Sequence, residues 1–174
     1  MAWFQKEDPA PVPPPKSSAA PKALKISSLL SEDVVLFPPA GIDKTAVFEG
    51  LVGAVCRDAG LDSALVLPRV LEREKGISTT LDTGLSLPHA RVVGLGEIAA
   101  GLAVLKTPIP DPAQSGLPIR VVFLFFSPDK REAFPLHLQL LRGVASLFQP
   151  ALIERLAAST GPADALALVR QSEG

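Results

Sequence analysis

Two histidines, His89 and His137, are the only imidazoles in the 174 residues. His89 sits in Leu87-Pro88-His89-Ala90-Arg91, at the end of the stretch Arg73 to Arg91, REKGISTTLDTGLSLPHAR. A neutral imidazole nitrogen attacks activated phosphoryl groups near neutral pH, because its unperturbed pKa is about 6.5. Phosphoryl transfer passes through a loose transition state, so a protein mainly supplies position and charge. Around His89 the sequence offers the means. Arg73 has a planar fork suited to phosphate oxygens. Ser78, Thr79 and Thr83 are candidate donors to those oxygens. Pro88 holds Leu87 extended and so directs the histidine. His137 follows Pro135, and if Pro135 opens a helix His137 lies in its first turn. There free N–H groups and the helix dipole favour an anion and a neutral ring. Each of these residues also has an ordinary reading: a surface histidine, a solvated salt bridge, a turn cap.

Other chemistries lack their residues. Cys56 is the single cysteine, so neither an intrachain disulfide nor a cysteine metal site can form. It reads as a small core residue on a helix. No phosphate-binding glycine loop, dinucleotide fingerprint, zinc-protease histidine pair or G-x-S-x-G elbow occurs. No cofactor and no metal is called for. Net charge is −1 with 20% charged residues, which excludes an electrostatic footprint on nucleic acid. No run approaches the roughly 20 apolar residues of a bilayer span. The start, MAWFQKEDP, lacks the pattern of a secretory signal. Direct membrane insertion is not expected, and a cytoplasmic address follows by elimination.

The elements that must position these groups begin near Ile26. Residues 1–25 are rich in Pro, Ala, Ser and Lys and read as a flexible tail, with Trp3 and Phe4 at its far end either incidental or a docking plug. Residues 26–174 read as one domain. Val34–Phe37 reads as a short strand closed by two prolines. Asp43 is the expected N-cap of a helix that Gly60 ends. Asp62 or Ser63 caps the next, which runs to about Lys75 with Pro68 inside it. Leu81, Thr83, Leu85 and Leu87 alternate with polar residues or glycine, which predicts one strand. Ile98–Leu105 is a further strand and residues 107–118 a proline-rich loop. Arg120–Phe126 is apolar almost throughout, the mark of a central strand. Phe134–Leu147 is a helix with a wide apolar side. Pro150 and Pro162 each open a further short helix. The order of elements is α/β, with helices on both faces of a sheet.

The boxes L-E-R-E-K, S-T, G-L-x-L-P-H-A-R and F-P-L-H-L-Q-L-L resemble the IIA domain of the fructose–mannitol class of the sugar phosphotransferase system, nearest its nitrogen-regulatory branch. The resemblance covers about Ile26 to Ser172. It implies a three-layer α/β/α sandwich with a mixed sheet. It implies that His89 accepts a phosphoryl group from the histidine phosphocarrier protein HPr, that Arg73 stabilises the phosphate and that His137 assists. The next acceptor would be a IIB component or a regulated protein. The chain departs from the family where Thr80 and Asp82 replace glycines. Left-handed backbone is costly there, and Asp82 would oppose phosphorylation if it faced His89. The alternative to a carrier is a binding module that kept the fold and lost the chemistry.

Overall fold

The computed structural model describes residues 23–114 and 116–174. The proline-rich stretch and its Trp3-Phe4 end lie almost wholly outside them. At the centre is a five-stranded mixed sheet. Its strands are β1 (Val35–Leu36), β2 (Leu85–Ser86), β3 (His89–Val92), β4 (Ala99–Pro110) and β5 (Pro118–Pro128). β4 and β5 pair antiparallel, β1 lies parallel to β4, and β2 and β3 lie parallel to β5. Val121 to Phe126 are all buried, as a strand covered on both faces requires. β4 runs further than expected, through Pro110, with a register shift between Val104 and Ile109. The expected proline-rich loop is accordingly cut to the turn after Pro110.

Five α-helices cover the sheet among the described residues: α1 (Lys44–Ala59), α2 (Ser63–Gly76), α3 (Phe134–Leu147), α4 (Pro150–Ala158) and α5 (Pro162–Glu173). Asp43 caps α1 through the Ala46 amide at 2.8 Å, and Gly60 ends it at φ 67°, where glycine has no Cβ to clash. Asp62 caps α2 through the Ala64 amide. α1 packs on β4 and α2; α4 packs on β4, β5 and α5. The approach of α1 to the sheet depends on Gly101, where a Cβ would lie 2.5 Å from Val55 Cγ2 and 2.9 Å from Leu51 Cδ1. Cys56 is buried on α1, as expected. The chain closes on itself where the backbone N–H groups of Ile26 and Ser27 donate to the Glu173 carboxylate.

The expected strand over residues 81–87 is corrected. Residues 81–84 instead form a tight reversal: the Leu81 amide donates to Leu85 O at 2.7 Å and Gly84 N to Leu81 O at 3.1 Å. Thr80 then faces Ser86 in an antiparallel bridge. Gly84 makes the turn with φ 92°. Period-two alternation misleads here because a glycine able to adopt positive φ interrupts it. The strand proper starts at Leu85 and continues past Pro88. β2 and β3 keep one register along β5, with Leu85 opposite Val121 and His89 opposite Phe125. Pro88, lacking an N–H, only breaks the ladder between them. His89 therefore opens a strand rather than ending one.

Candidate functional site

Strand geometry sets the first part of the site. Residues two apart on a strand share a face, so His89 and Arg91 on β3 point the same way. Their register partners on β5 are Phe125 and Ser127. The His89 ring stacks on Phe125, with centroids 5.4 Å apart and planes 11° from parallel. The Ser127 hydroxyl meets Nδ1 of His137 at 2.7 Å. His137 comes from the first turn of α3, whose opening is set by Pro135. The two imidazoles end 5.3 Å apart with their planes inclined by 61°. Each histidine exposes 6% of its surface.

Arg73 reaches the same place from the last turn of α2. It lines a cleft of about 420 Å³ together with His89, Arg91, His137, Phe134 and Leu138. A larger hollow of about 900 Å³ runs along α2 past Arg69, Arg73 and Ile77 but holds no histidine. The three groups that residue type and the family resemblance point to, far apart in the chain, thus line one recess. The apolar side of α3 is only partly covered: His137, Leu140 and Val144 are buried, whereas Phe134 and Leu138 expose 45% and 40% beside the cleft.

Both rings are held neutral. Burial lowers the His89 pKa below its ordinary 6.5; the Leu87 carbonyl opposes this, Arg73 adds to it, and Glu74 opposes it. Burial, followed by the charges of His89, Arg91 and Arg73, lowers His137 to about 4. Nδ1 of His89 lies 2.8 Å from the Leu87 carbonyl oxygen. A carbonyl only accepts, so Nδ1 carries the hydrogen and Nε2 keeps its lone pair.

The hydroxyl candidates sit differently. Ser78 Oγ donates to Asp111 at 2.5 Å and Thr79 Oγ1 to Glu74 at 2.9 Å. Neither lines the histidine cleft. Thr83 lies in the reversal, its buried hydroxyl without a partner among the described residues. The substituted glycine positions cause no strain, since no described residue other than glycine has positive φ. Asp82 is exposed in the turn and does not line the cleft.

Two features escaped the sequence reading. Arg91 lines the cleft; its guanidinium lies 5.4 Å from the Phe134 ring centroid and donates to Lys130 O at 2.8 Å. Its place two residues after His89 was the available signal. The second is a buried cluster of Lys44, Glu74 and Asp111. Its members come from α1, α2 and the turn between β4 and β5, so no local pattern marks them. Among the described residues no group of His, Cys, Asp and Glu is placed to hold a metal ion, and no helix is long and apolar enough to cross a membrane.

Known proteins resemble the chain in sequence and in fold. The model of the family described as phosphoenolpyruvate-dependent sugar phosphotransferase system, EIIA 2, matches residues 28–172. A nitrogen regulatory protein of Pseudomonas aeruginosa is 26% identical over 144 residues, spanning 82% of this chain and 92% of that protein. The crystal structure of nitrogen regulatory protein IIA-Ntr from Neisseria meningitidis matches with a TM-score of 0.72 at 27% identity, covering 83% of this chain and 98% of that one. A complex of enzyme IIA-Mtl with phosphorylated enzyme IIB-Mtl from Escherichia coli contains a chain alike in fold, with a TM-score of 0.65 at 14% identity, covering 82% of this chain and 97% of that one. With a sequence match running from Ser28 to Ser172, and helices on both sides of a mixed sheet as in the neisserial protein, the chain belongs to the EIIA 2 family of the phosphoenolpyruvate-dependent sugar phosphotransferase system.

Proposed function

We propose that this domain is a transient phosphoryl carrier with His89 as the acceptor. The observation that carries the reading is the shared cleft of His89, His137 and Arg73, with Nε2 of His89 left free by the Leu87 hydrogen bond. Nε2 attacks the phosphorus of a phosphohistidine on an HPr-type phosphocarrier. The donor's P–N bond breaks as the new P–N bond forms, and the Leu87 carbonyl keeps hold of the Nδ1–H. Arg73 faces the equatorial oxygens as a fixed positive charge. His137 assists through the tautomer in which the Ser127 hydroxyl donates to Nδ1 and the Nε2–H donates to a phosphoryl oxygen. Arg91 adds positive charge at the same mouth. Ser78 and Thr79, engaged with carboxylates, shape the segment after Arg73 rather than touch phosphate.

The phosphoryl group then passes to a IIB component, or its presence on His89 changes binding to a regulated protein. The first is supported by the fold neighbour found with a phosphorylated IIB enzyme, the second by the relatives named nitrogen regulatory protein. Incubation with phosphoenolpyruvate, enzyme I and HPr should give an acid-labile phosphohistidine, and His89→Ala should abolish it. Full labelling of that variant would remove His89 from the role.

One observation favours a second reading, a docking module indifferent to phosphorylation: the exposed Phe134 and Leu138 beside the cleft. It predicts partner capture unchanged by His89→Ala. The neutral, converged histidines weigh against it, because a docking surface needs neither.

A further inference from the structure

The carrier chemistry leaves one group of charges unused. Lys44, the first residue of α1, places Nζ 2.6 Å from Glu74 Oε1 and 3.1 and 3.2 Å from the two Asp111 oxygens. All three side chains are at least nine-tenths buried. Burial pushes the Asp111 carboxyl up, but hydrogen bonds from Ser78, the Ala113 amide and Lys44 prevail and hold it at about 2. Removing charges from water is costly, and such clusters add little net stability over apolar packing. What this one delivers is geometry.

The geometry converges on the end of α2. Glu74 accepts from the Thr79 amide at 3.1 Å and from the Thr79 hydroxyl at 2.9 Å. Asp111 accepts from Ser78 at 2.5 Å. The segment leaving α2 is thus tied down at two consecutive residues, and the helix end is tied to α1 and to the β4–β5 turn. Arg73 immediately precedes Glu74. Its exposed side chain makes no ion pair among the described residues, so its aim depends on the backbone that bears it.

We propose that Lys44, Glu74 and Asp111 are positioning residues: together they fix the last turn of α2 and so hold the Arg73 guanidinium in the cleft of His89 and His137. The role of Arg73 in catalysis rests on the carrier reading; the geometric link does not. The charged and titratable groups around His89 are Arg73 and Glu74 on α2, Arg91 on β3 and His137 on α3.

The test uses the full chain with Lys44→Met/Asp111→Asn, which removes one charge of each sign and leaves the cluster's net charge unchanged. It is made in the native background and with Arg73→Ala. Two quantities are read: the His89 pKa by NMR, and the rate of labelling by phosphoenolpyruvate, enzyme I and HPr. In the native background the His89 pKa should rise, because Arg73 no longer lowers it, and labelling should slow about tenfold as the guanidinium loses its aim. With Arg73→Ala present, both differences should vanish, since the cluster then has nothing to position. Equal changes in both backgrounds, or no change in the native one, would overturn the proposal. Absence of label on the unaltered protein would sink the carrier reading alone, and the NMR cycle would still decide this one. If the double variant does not fold, Thr79→Val removes a single tie to Glu74. It should raise the His89 pKa in the same direction by less, and an unmoved value would count against the link.

Discussion

The Leu87 carbonyl, two residues before His89, accepts the Nδ1–H of that ring at 2.8 Å and so decides which nitrogen can react. The bond is local and lies within a stretch made extended by Pro88. The direction of attack is therefore set by the same residues that set the strand. The phosphorylated protein should carry its phosphorus on Nε2 of His89, and ³¹P–¹⁵N correlation NMR reads this directly. Attachment at Nδ1 would mean that the hydrogen bond does not govern the chemistry.

His137 should matter for rate but not for identity. His137→Ala should retain labelling of His89 while slowing it by about 10- to 100-fold, the range for loss of one oriented donor. Ser127→Ala leaves the ring in place but frees its tautomer, so a smaller loss is expected. A time course of label uptake separates the two from complete loss.

The lowered pKa values of His137 and Asp111 set the direction of acid sensitivity. His137 has a folded pKa near 4 against 6.5 when unfolded. As pH falls from 6.5 towards 4 the unfolded chain binds a proton that the folded one refuses, so stability declines, by an amount on the order of 3 kcal/mol. Asp111 acts lower. Its folded value of about 2 against 3.8 gives stability that is full above 3.8 and is lost as pH falls through about 2, worth on the order of 2 kcal/mol. Urea unfolding at pH 7, 5 and 3 should show a stepwise fall, and His137→Gln should flatten the upper step.

Gly101 should tolerate no side chain. The added methyl of Gly101→Ala meets Val55 and Leu51 on α1 and lies 3.1 Å from the Val34 carbonyl. Overpacking of this kind costs about 1–3 kcal/mol. A thermal melt should show the loss, and an unchanged midpoint would mean that α1 shifts freely.

Much of this architecture was legible because local chemistry announced it. The caps Asp43 and Asp62, the terminating Gly60 and the apolar run of β5 lie where the sequence puts them. Pro135, Pro150 and Pro162 sit in the first turns of their helices. The misreading at residues 81–87 has a physical cause. Alternation is a period, and a reversal at Gly84 preserves the period while changing the direction of the chain. The limits at the site are of another kind. Residue type and family resemblance point to Arg73, His89 and His137, and only the fold shows that they share a recess. Ser78 and Thr79 had the right chemistry for phosphate, yet their hydroxyls are claimed by Glu74 and Asp111. That claim depends on Lys44 and Asp111, 67 residues apart in the chain. No window of sequence contains such a contact.

The Glu173 carboxylate that receives the Ile26 and Ser27 amides joins groups separated by up to 147 positions. Closing that span directly would carry a large loop-entropy cost, so the contact is expected to form after the sheet has gathered its helices. The first turn of the domain and its last helix should accordingly open as one unit in native-state hydrogen exchange. Trimming the final turn of α5 would therefore be felt at the opposite terminus of the polypeptide, where the proline-rich stretch joins the folded body.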